Sequence, residues 1–349
     1  MSKCALCLQR EADKKGSHLV PHFLMKTVDN VDGKVGRDLE LGFELGKGHV
    51  KSYFGGAVLP ERLEPVFGEV SDEDIANSRS SMIVDHLLCT HCESRLGKLE
   101  SGYSSSLKNS SEQEYQSNED SFHSLIFWAS IFWRLSVSES KQYELSEQDE
   151  EKLRVIIDEG LDVKHGDIVE YIGQTKNSIN EIGYKLLRCP GYTLKNNAFV
   201  FLDNRNDNPY SMLVGEFACC LYMDCKKNDF QQQEFLGLEV TSNEASVNSC
   251  INGEWIFPVS MEVFSEACNQ GVEFWKDDFI TEIGEMCDAV HLKFVGGGIM
   301  DPIIKAHVVH TIANGELPLG RRYEISTIVH AISITLIQYE PYRSIAERM

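Results

Sequence analysis

Apolar and polar positions divide the chain into helical and strand-like regions. Residues 121–138 (SFHSLIFWASIFWRLSVS) are apolar nearly all round, a pattern that predicts a helix buried on every side. A second helix is predicted to begin after Ser146, because Ser146 and Asp149 form a capping start ahead of apolar residues at helical spacing. The middle of the chain is therefore expected to begin with two helices.

Between residues 178 and 258 the sequence pattern becomes typical of β-strands. Four apolar runs, NAFVFLD, SMLVGEFACCLYM, FLGLEV and EWIFPV, are separated by Asn, Asp, Gly and Pro, and each predicts a strand. Helical spacing returns over residues 259–349. The predicted fold class is α+β, with a central antiparallel β region between helices.

The first third of the chain has a different organisation. Residues 27–80 are rich in Gly and charge and predict an insertion with a small sheet or an irregular loop. Residues 93–107 predict a helix, and the polar residues 108–120 predict a linker. The predicted domains are accordingly 1–107 and 121–349, the second serving in sensing, substrate selection or oligomerisation.

Charge limits the classes of partner. The net charge is −21, which argues against a protein that grips long stretches of nucleic acid, since Lys and Arg make the phosphate contacts. Residues 1–100 carry only −3 of this charge and leave −18 for the remainder. Most of the net negative charge thus lies outside the part of the chain that carries the paired cysteines.

Neither a membrane span nor a secretory leader is expected. The longest apolar runs, LIFWASIFW and AISITLI, are much shorter than the roughly 20 residues that a membrane span requires. The start MSKCALCLQR lacks the apolar stretch of a signal peptide. The expected location is the cytoplasm, where the seven scattered cysteines would be reduced and mostly buried.

Four cysteines form two C-x-x-C units, and these carry the strongest chemical signal. Cys4 and Cys7 form one unit and Cys89 and Cys92 the other, with 81 residues between them. Two such turns together present four thiolates, which is the ligand set of a structural Zn²⁺. The sequence therefore predicts one zinc ion bound by all four cysteines.

Residues around these units resemble a known family. The combination of C-x-x-C, SH-x-x-P-x-F and LLC-x-x-CE-x-x-x-G-x-x-E resembles the zinc-ribbon-bearing HNH nucleases over roughly residues 1–105. This resemblance implies a ββα-metal core, in which a hairpin and a metal-binding turn precede a helix. It also implies metal-dependent hydrolysis of phosphodiester bonds and contact with nucleic acid through residues 1–105.

The resemblance assigns roles to individual residues. His18 matches the general base that deprotonates the attacking water, and Glu93 stands where the family has the Asn that orients this histidine. Glu100 stands where the family has a late helical ligand, so the resemblance implies Mg²⁺, Mn²⁺ or Ni²⁺ near Glu93 and Glu100. Ser17 replaces the usual acidic ligand, and His22 or Asp85–His86 are the candidates to replace it.

Two other functions remain open at this point. The first is a catalytically degenerate zinc-ribbon protein that binds or scaffolds a partner, with His18 packed beside the cysteines and Glu100 solvated. The second is an acidic decoy for another protein's DNA-binding surface. Residues 121–349 are expected to contact a regulatory protein or a second copy of the chain.

Overall fold

The computed structural model describes most of the chain. The described residues are 2–29, 41–46, 49–54, 60–71, 73, 78, 80, 82–138, 143–174, 179–194, 200–203, 208–224, 234–250 and 252–346.

Helices and short strands alternate along these residues. The α-helices are α1 (His22–Asp29), α2 (Pro60–Phe67), α3 (Thr90–Ser106), α4 (Ser121–Val137), α5 (Glu147–Gly160), α6 (Ile168–Gln174), α7 (Glu239–Glu244), α8 (Met261–Val295), α9 (Pro302–Ala313), α10 (Leu319–Arg322), α11 (Ile325–Leu336) and α12 (Tyr342–Ala346). The strands are β1 (Ser17–His18), β2 (Leu41–Gly46), β3 (His49–Phe54), β4 (Ile83–Val84), β5 (Tyr115–Asp120), β6 (Gly183–Arg188), β7 (Val200–Asp203), β8 (Tyr210–Val214), β9 (Phe217–Tyr222) and β10 (Gly253–Pro258).

The chain folds into two compact units. The first contains residues 1–33 and 81–270, and the second contains residues 34–80 and 271–349. The predicted linker, 108–120, lies within the first unit, so the units do not follow the predicted division into 1–107 and 121–349.

A six-stranded mixed sheet forms the centre of the first unit. Its strand order is β5-β10-β6-β9-β8-β7, and all neighbouring strands are antiparallel except β10 and β6. The predicted α+β class is confirmed. The predicted region was antiparallel, whereas the sheet contains one parallel pair of strands, β10 and β6.

Both faces of this sheet are buried. Along β6 and β8, Leu186 and Met212 face the main core, whereas the adjacent Leu187 and Leu213 face a second core beside Phe264 of α8. This alternation is the period of two that a strand imposes. Because both faces need apolar side chains, β8 and β9 are apolar along almost their whole length and do not alternate with polar residues.

Helix α4 packs in the main core and confirms the prediction for residues 121–138. Trp128, Phe132 and Trp133 are each at most 1% exposed. The side chain of Asp120 caps the helix by accepting a hydrogen bond from the backbone N–H of His123. The predicted helix after Ser146 is also present as α5, capped by Ser146.

Two predicted segments differ from the structure. The run FLGLEV is not a strand, because Leu236 and Gly237 have φ values of 54° and 78° and turn the chain into α7. Residues 115–120 of the predicted linker form the edge strand β5, with Tyr115 and Ser117 turned inward. An edge strand with few apolar residues has little pattern from which to predict it.

The amino-terminal part contains a strand pair followed by a helix. Strands β1 and β4 pair antiparallel, with Ser17 opposite Val84 and His18 opposite Ile83. Helix α3 begins six residues after β4, at the second pair of cysteines. In sequence, the whole predicted insertion, 27–80, lies between β1 and β4, and its described part includes the hairpin β2–β3.

A buried carboxyl group joins α3 to the sheet. Glu254 of β10 is fully buried, and its Oε1 accepts hydrogen bonds from Tyr103 of α3 at 3.0 Å and from Tyr184 of β6 at 2.9 Å. Trp128 of α4 donates to the Tyr103 hydroxyl at 2.9 Å. Burial raises the pKa of Glu254 to about 7, although hydrogen bonds from Ser117, Tyr184 and Tyr103 act in the opposite direction.

We predict that Glu254→Gln flattens the pH dependence of stability. A carboxyl whose folded pKa is raised binds its proton more tightly in the native state, so native stability falls as pH rises from about 4.5 to about 7. The glutamine amide remains neutral and keeps an oxygen to accept from both tyrosines. Chemical denaturation at several pH values should show the wild-type protein losing on the order of 3 kcal/mol relative to Glu254→Gln across this range.

The exposed Glu285 supplies the matched control. Glu285→Gln should follow the wild-type pH profile. A constant stability difference between the wild type and Glu254→Gln from pH 4.5 to 8 would contradict the prediction.

Candidate functional site

Four cysteine side chains converge at the start of α3. The sulphur atoms of Cys4, Cys7, Cys89 and Cys92 all lie within 4.8 Å of one another. Cys4 and Cys92 are fully buried and Cys89 is 2% exposed, whereas Cys7 is half-buried. A closed, buried set of four thiols fits a tetrahedral metal ion, so this cluster could hold one.

Backbone hydrogen bonds bring the two C-x-x-C segments together. The N–H of Ala5 donates to the carbonyl of Leu87 at 2.9 Å, and the N–H of Lys14 donates to that of Leu88 at 3.1 Å. Cys89 occupies the cap position of α3, where its sulphur accepts the N–H of Cys92 at 3.4 Å. The second turn is thus the first turn of a helix, which fixes the direction of two ligands.

The hydrogen bond between Cys4 and Cys92 shifts the pKa values of these two thiols in opposite directions. A hydrogen bond from the Cys92 thiol lowers the pKa of Cys4 to about 4, and backbone N–H groups of Cys7, Cys89 and Leu6 act in the same direction. Arg95 on α3 approaches the Cys92 sulphur at 4.0 Å while it pairs with Asp158 of α5 at 2.6 Å. The hydrogen bond to Cys4 and burial raise the pKa of Cys92, so binding of a metal ion by all four sulphurs has to displace the proton of Cys92.

His18 and Glu100 are brought together by Arg134, a residue near the end of α4. The guanidinium Nη1 of Arg134 donates to the backbone carbonyl of His18 at 2.9 Å and to Glu100 Oε1 at 2.8 Å. Its Nε also donates to the Ser130 carbonyl at 3.1 Å, and the Arg134 side chain is only 3% exposed. A buried cation thus joins the backbone carbonyl of the predicted base to the carboxylate of the predicted metal ligand.

The other candidate residues from the sequence lie at a helix start, contact backbone groups or lie beside another ring. Glu93 lies in the first turn of α3, where a carboxylate interacts favourably with the helix dipole. Asp85 accepts the N–H of Gly16 at 2.8 Å, and His86 Nδ1 lies 2.9 Å from the Ala12 carbonyl. The rings of His18 and His22 are 5.5 Å apart. Among the described residues, His18, Glu93 and Glu100 do not form a group of metal-donor atoms.

A second group of donor atoms lies at the start of α4, and the sequence reasoning missed it. Glu119, Asp120, His123 and His165 place one donor atom each within 4.8 Å of the others. The spacing D-x-x-H at residues 120–123 could have indicated part of this group, because residues three apart lie on the same face of a helix. His165 is 42 residues further along the chain, and nothing in the sequence pattern connects it to them.

The charges of this second group interact strongly. Burial raises the pKa of Glu119, and the neighbouring charge of Asp120 raises it further. Burial opposes ionisation of both Asp120 and His123, but their mutual hydrogen bond lowers the pKa of Asp120 and raises that of His123. The four side chains therefore form one electrostatic unit.

The resemblance to HNH nucleases stays a prediction after comparison with known proteins. No protein-family model, curated protein or solved structure matches this chain. None of the helices in the described part of the chain is long and apolar enough to cross a membrane.

We predict that Cys92→Ser removes a thiolate-bound divalent ion and loosens the amino-terminal turns. Without the ion, only hydrogen bonds and packing hold residues 4–7 against residues 87–92, and structural zinc sites contribute on the order of 10 kcal/mol to folding. Titration with Co²⁺ should give a sulphur-to-metal charge-transfer band in the wild type and a much weaker band in Cys92→Ser. Hydrogen exchange should show lost protection at the amides of Ala5 and Lys14.

Cys268→Ala is the control, because this cysteine is buried outside the cluster. It should retain the full band and the protection of both amides. An equal loss in both variants would mean that the fold, and not metal binding, was disturbed.

Proposed function

We propose that this protein is a zinc-bound binding protein whose ββα-like core has no metal-dependent hydrolytic centre at His18. Its partner is nucleic acid, contacted through residues 1–105. The observation that carries the proposal is the Arg134 side chain, which links the His18 carbonyl to the Glu100 carboxylate.

Arg134 makes a catalytic metal at this place unfavourable. A divalent ion held by Glu100 beside His18 would lie next to a guanidinium that cannot lose its proton. Moving this buried cation aside would break its hydrogen bonds to His18 and Glu100 and leave its charge uncompensated, which costs about 3–5 kcal/mol for a buried pair. Arg134 therefore supports a structural role for Glu100 and His18.

Zinc is the ion that fits the cysteine cluster best. Four thiolates in a tetrahedral arrangement select soft or borderline cations, and Zn²⁺ is the usual structural one among these. The ion would connect Cys4 and Cys7 to Cys89 and Cys92 and so hold the β1–β4 pair against α3.

Several basic residues near the first cysteine turn in sequence are exposed, as are the acidic residues Glu11 and Asp13. Lys3, Arg10 and Lys15 are exposed, as is Lys98 on α3. Because residues 1–100 carry a net charge of only −3, these side chains can contact phosphates with less repulsion than elsewhere on the chain. A small set of such contacts predicts weak binding that salt readily disrupts.

We predict that the protein binds short nucleic acids without cleaving them. Fluorescence anisotropy at low salt with labelled duplex DNA, single-stranded DNA and RNA should show binding to at least one of the three. His18→Ala should retain this binding, whereas Cys92→Ser should lose it. Incubation with Mg²⁺, Mn²⁺ or Ni²⁺ should leave each substrate intact for both the wild type and His18→Ala.

Charge variants test the proposed surface. The double variant Arg10→Ala/Lys15→Ala should weaken binding and reduce the slope of log affinity against log salt by roughly one to two. Lys276→Ala, which removes an exposed lysine of the second unit, should leave both quantities unchanged. Absence of binding to all three nucleic acids would contradict the proposal.

The second candidate is an HNH-like nuclease with His18 as general base. Its supporting observation is the order of elements, since an antiparallel strand pair containing His18 is followed by a helix that begins at the cysteine cluster. Metal-dependent cleavage that His18→Ala abolishes without changing the melting temperature would establish this candidate and overturn the first.

A further inference from the structure

The group at the start of α4 is built from two separate parts of the chain. Glu119 and Asp120 end strand β5, and His123 lies in the first turn of α4. His165 comes from the 3₁₀ turn His165–Asp167 that follows α5. Folding therefore brings two carboxylates and two imidazoles together at one edge of the first unit.

Distances within the group match those around a bound ion. His123 Nδ1 lies 3.0 and 2.9 Å from the two carboxylate oxygens of Asp120, and His165 Nε2 lies 3.8 Å from Glu119 Oε1. His165 Nδ1 also contacts Asp120 Oδ2. A tetrahedral ion with bonds of about 2.1 Å separates its ligand atoms by about 3.4 Å, which falls within this range.

A backbone carbonyl outside the group orients His123. The Nε2 atom of His123 lies 3.0 Å from the carbonyl oxygen of Val163, an acceptor that requires a proton on Nε2. In a neutral ring the lone pair is then on Nδ1, directed at the Asp120 carboxylate. The 2.9 Å between Nδ1 and the carboxylate fits a hydrogen bond from a second ring proton, and Nδ1 can bind a metal ion once that proton is displaced. Orientation of a ligating histidine by a backbone carbonyl is the usual outer-shell arrangement at metal sites.

Exposure of the group suits an exchangeable ion. The side chains of His123 and Glu119 are each 14% exposed, whereas His165 is 72% exposed. Three of the side chains are thus partly buried, and the fourth lies at the surface in contact with solvent.

We propose that Glu119, Asp120, His123 and His165 bind a second divalent transition-metal ion, separate from the ion of the cysteine cluster. Two imidazole nitrogens and two carboxylate oxygens suit a borderline ion such as Zn²⁺ or a harder transition-metal ion such as Mn²⁺. The bound ion would connect the segment after α5 to the junction of β5 and α4. This site is independent of the proposed function at residues 1–105.

Calorimetric titration of the whole protein with Zn²⁺ tests the proposal. The protein is first loaded with one equivalent of Zn²⁺, and occupancy of the cysteine cluster is checked by loss of free-thiol reactivity at Cys7. Further Zn²⁺ should then bind with a stoichiometry of one, and Mg²⁺ at tenfold excess should not compete. His165→Ala and His123→Ala should each weaken this second binding at least tenfold.

His165→Ala is the decisive variant, because its exposed ring contributes little to packing and the variant is expected to fold. His330→Ala, which removes an exposed histidine of α11, is the matched control and should retain the second ion. Absence of a second saturable event, or an affinity unchanged by His165→Ala, would overturn the proposal. So would nitrogen NMR spectra in which both ring nitrogens of His123 keep their protons after Zn²⁺ is added.

Discussion

The arrangement of the amino-terminal part depends on keeping four cysteine sulphurs within a few ångströms across 81 intervening residues. Closing a loop of this length costs only slightly more entropy than closing a short one, because the cost grows with the logarithm of loop length. Once Cys4 and Cys7 lie beside Cys89 and Cys92, the strands β1 and β4 are close enough to pair. The residues between the two strands can then vary in length and structure without disturbing the pair.

Helix α3 transmits this constraint to the rest of the first unit. Its first turn carries Cys89 and Cys92, and its last turns carry Glu100 and Tyr103. Glu100 pairs with Arg134 of α4, while Tyr103 donates to the buried Glu254 of the sheet. The second half of the helix is therefore fixed by two polar interactions in buried surroundings, where leaving either partner alone is costly. The same fixation holds the Arg134 guanidinium against His18.

Sequence patterns predicted the features that depend on near neighbours. The two C-x-x-C units identified the cysteine cluster, and the continuous apolar run at 121–138 identified α4. The prediction of a strand for the run FLGLEV was wrong. Phe235, Leu236 and Leu238 are buried, as the apolar pattern indicates, but the positive φ at Leu236 results from the tertiary structure, which apolar content does not encode. The role of Arg134 was equally hidden, since its partners Glu100 and His18 lie 34 and 116 residues away.

The two donor groups share one local construction, which explains why each forms where it does. Cys89 caps α3 and accepts the N–H of Cys92, and Asp120 caps α4 and accepts the N–H of His123. In each case the cap residue and the residue three positions later are both donors, so one helical turn supplies half of the group. The partial positive charge at a helix start favours the anionic form of a cap ligand and so favours the form that binds a cation. Donor chemistry then separates the two groups, because the mostly buried sulphurs disfavour hard ions, whereas the imidazoles and carboxylates include the exposed His165, through which an ion can exchange with solvent.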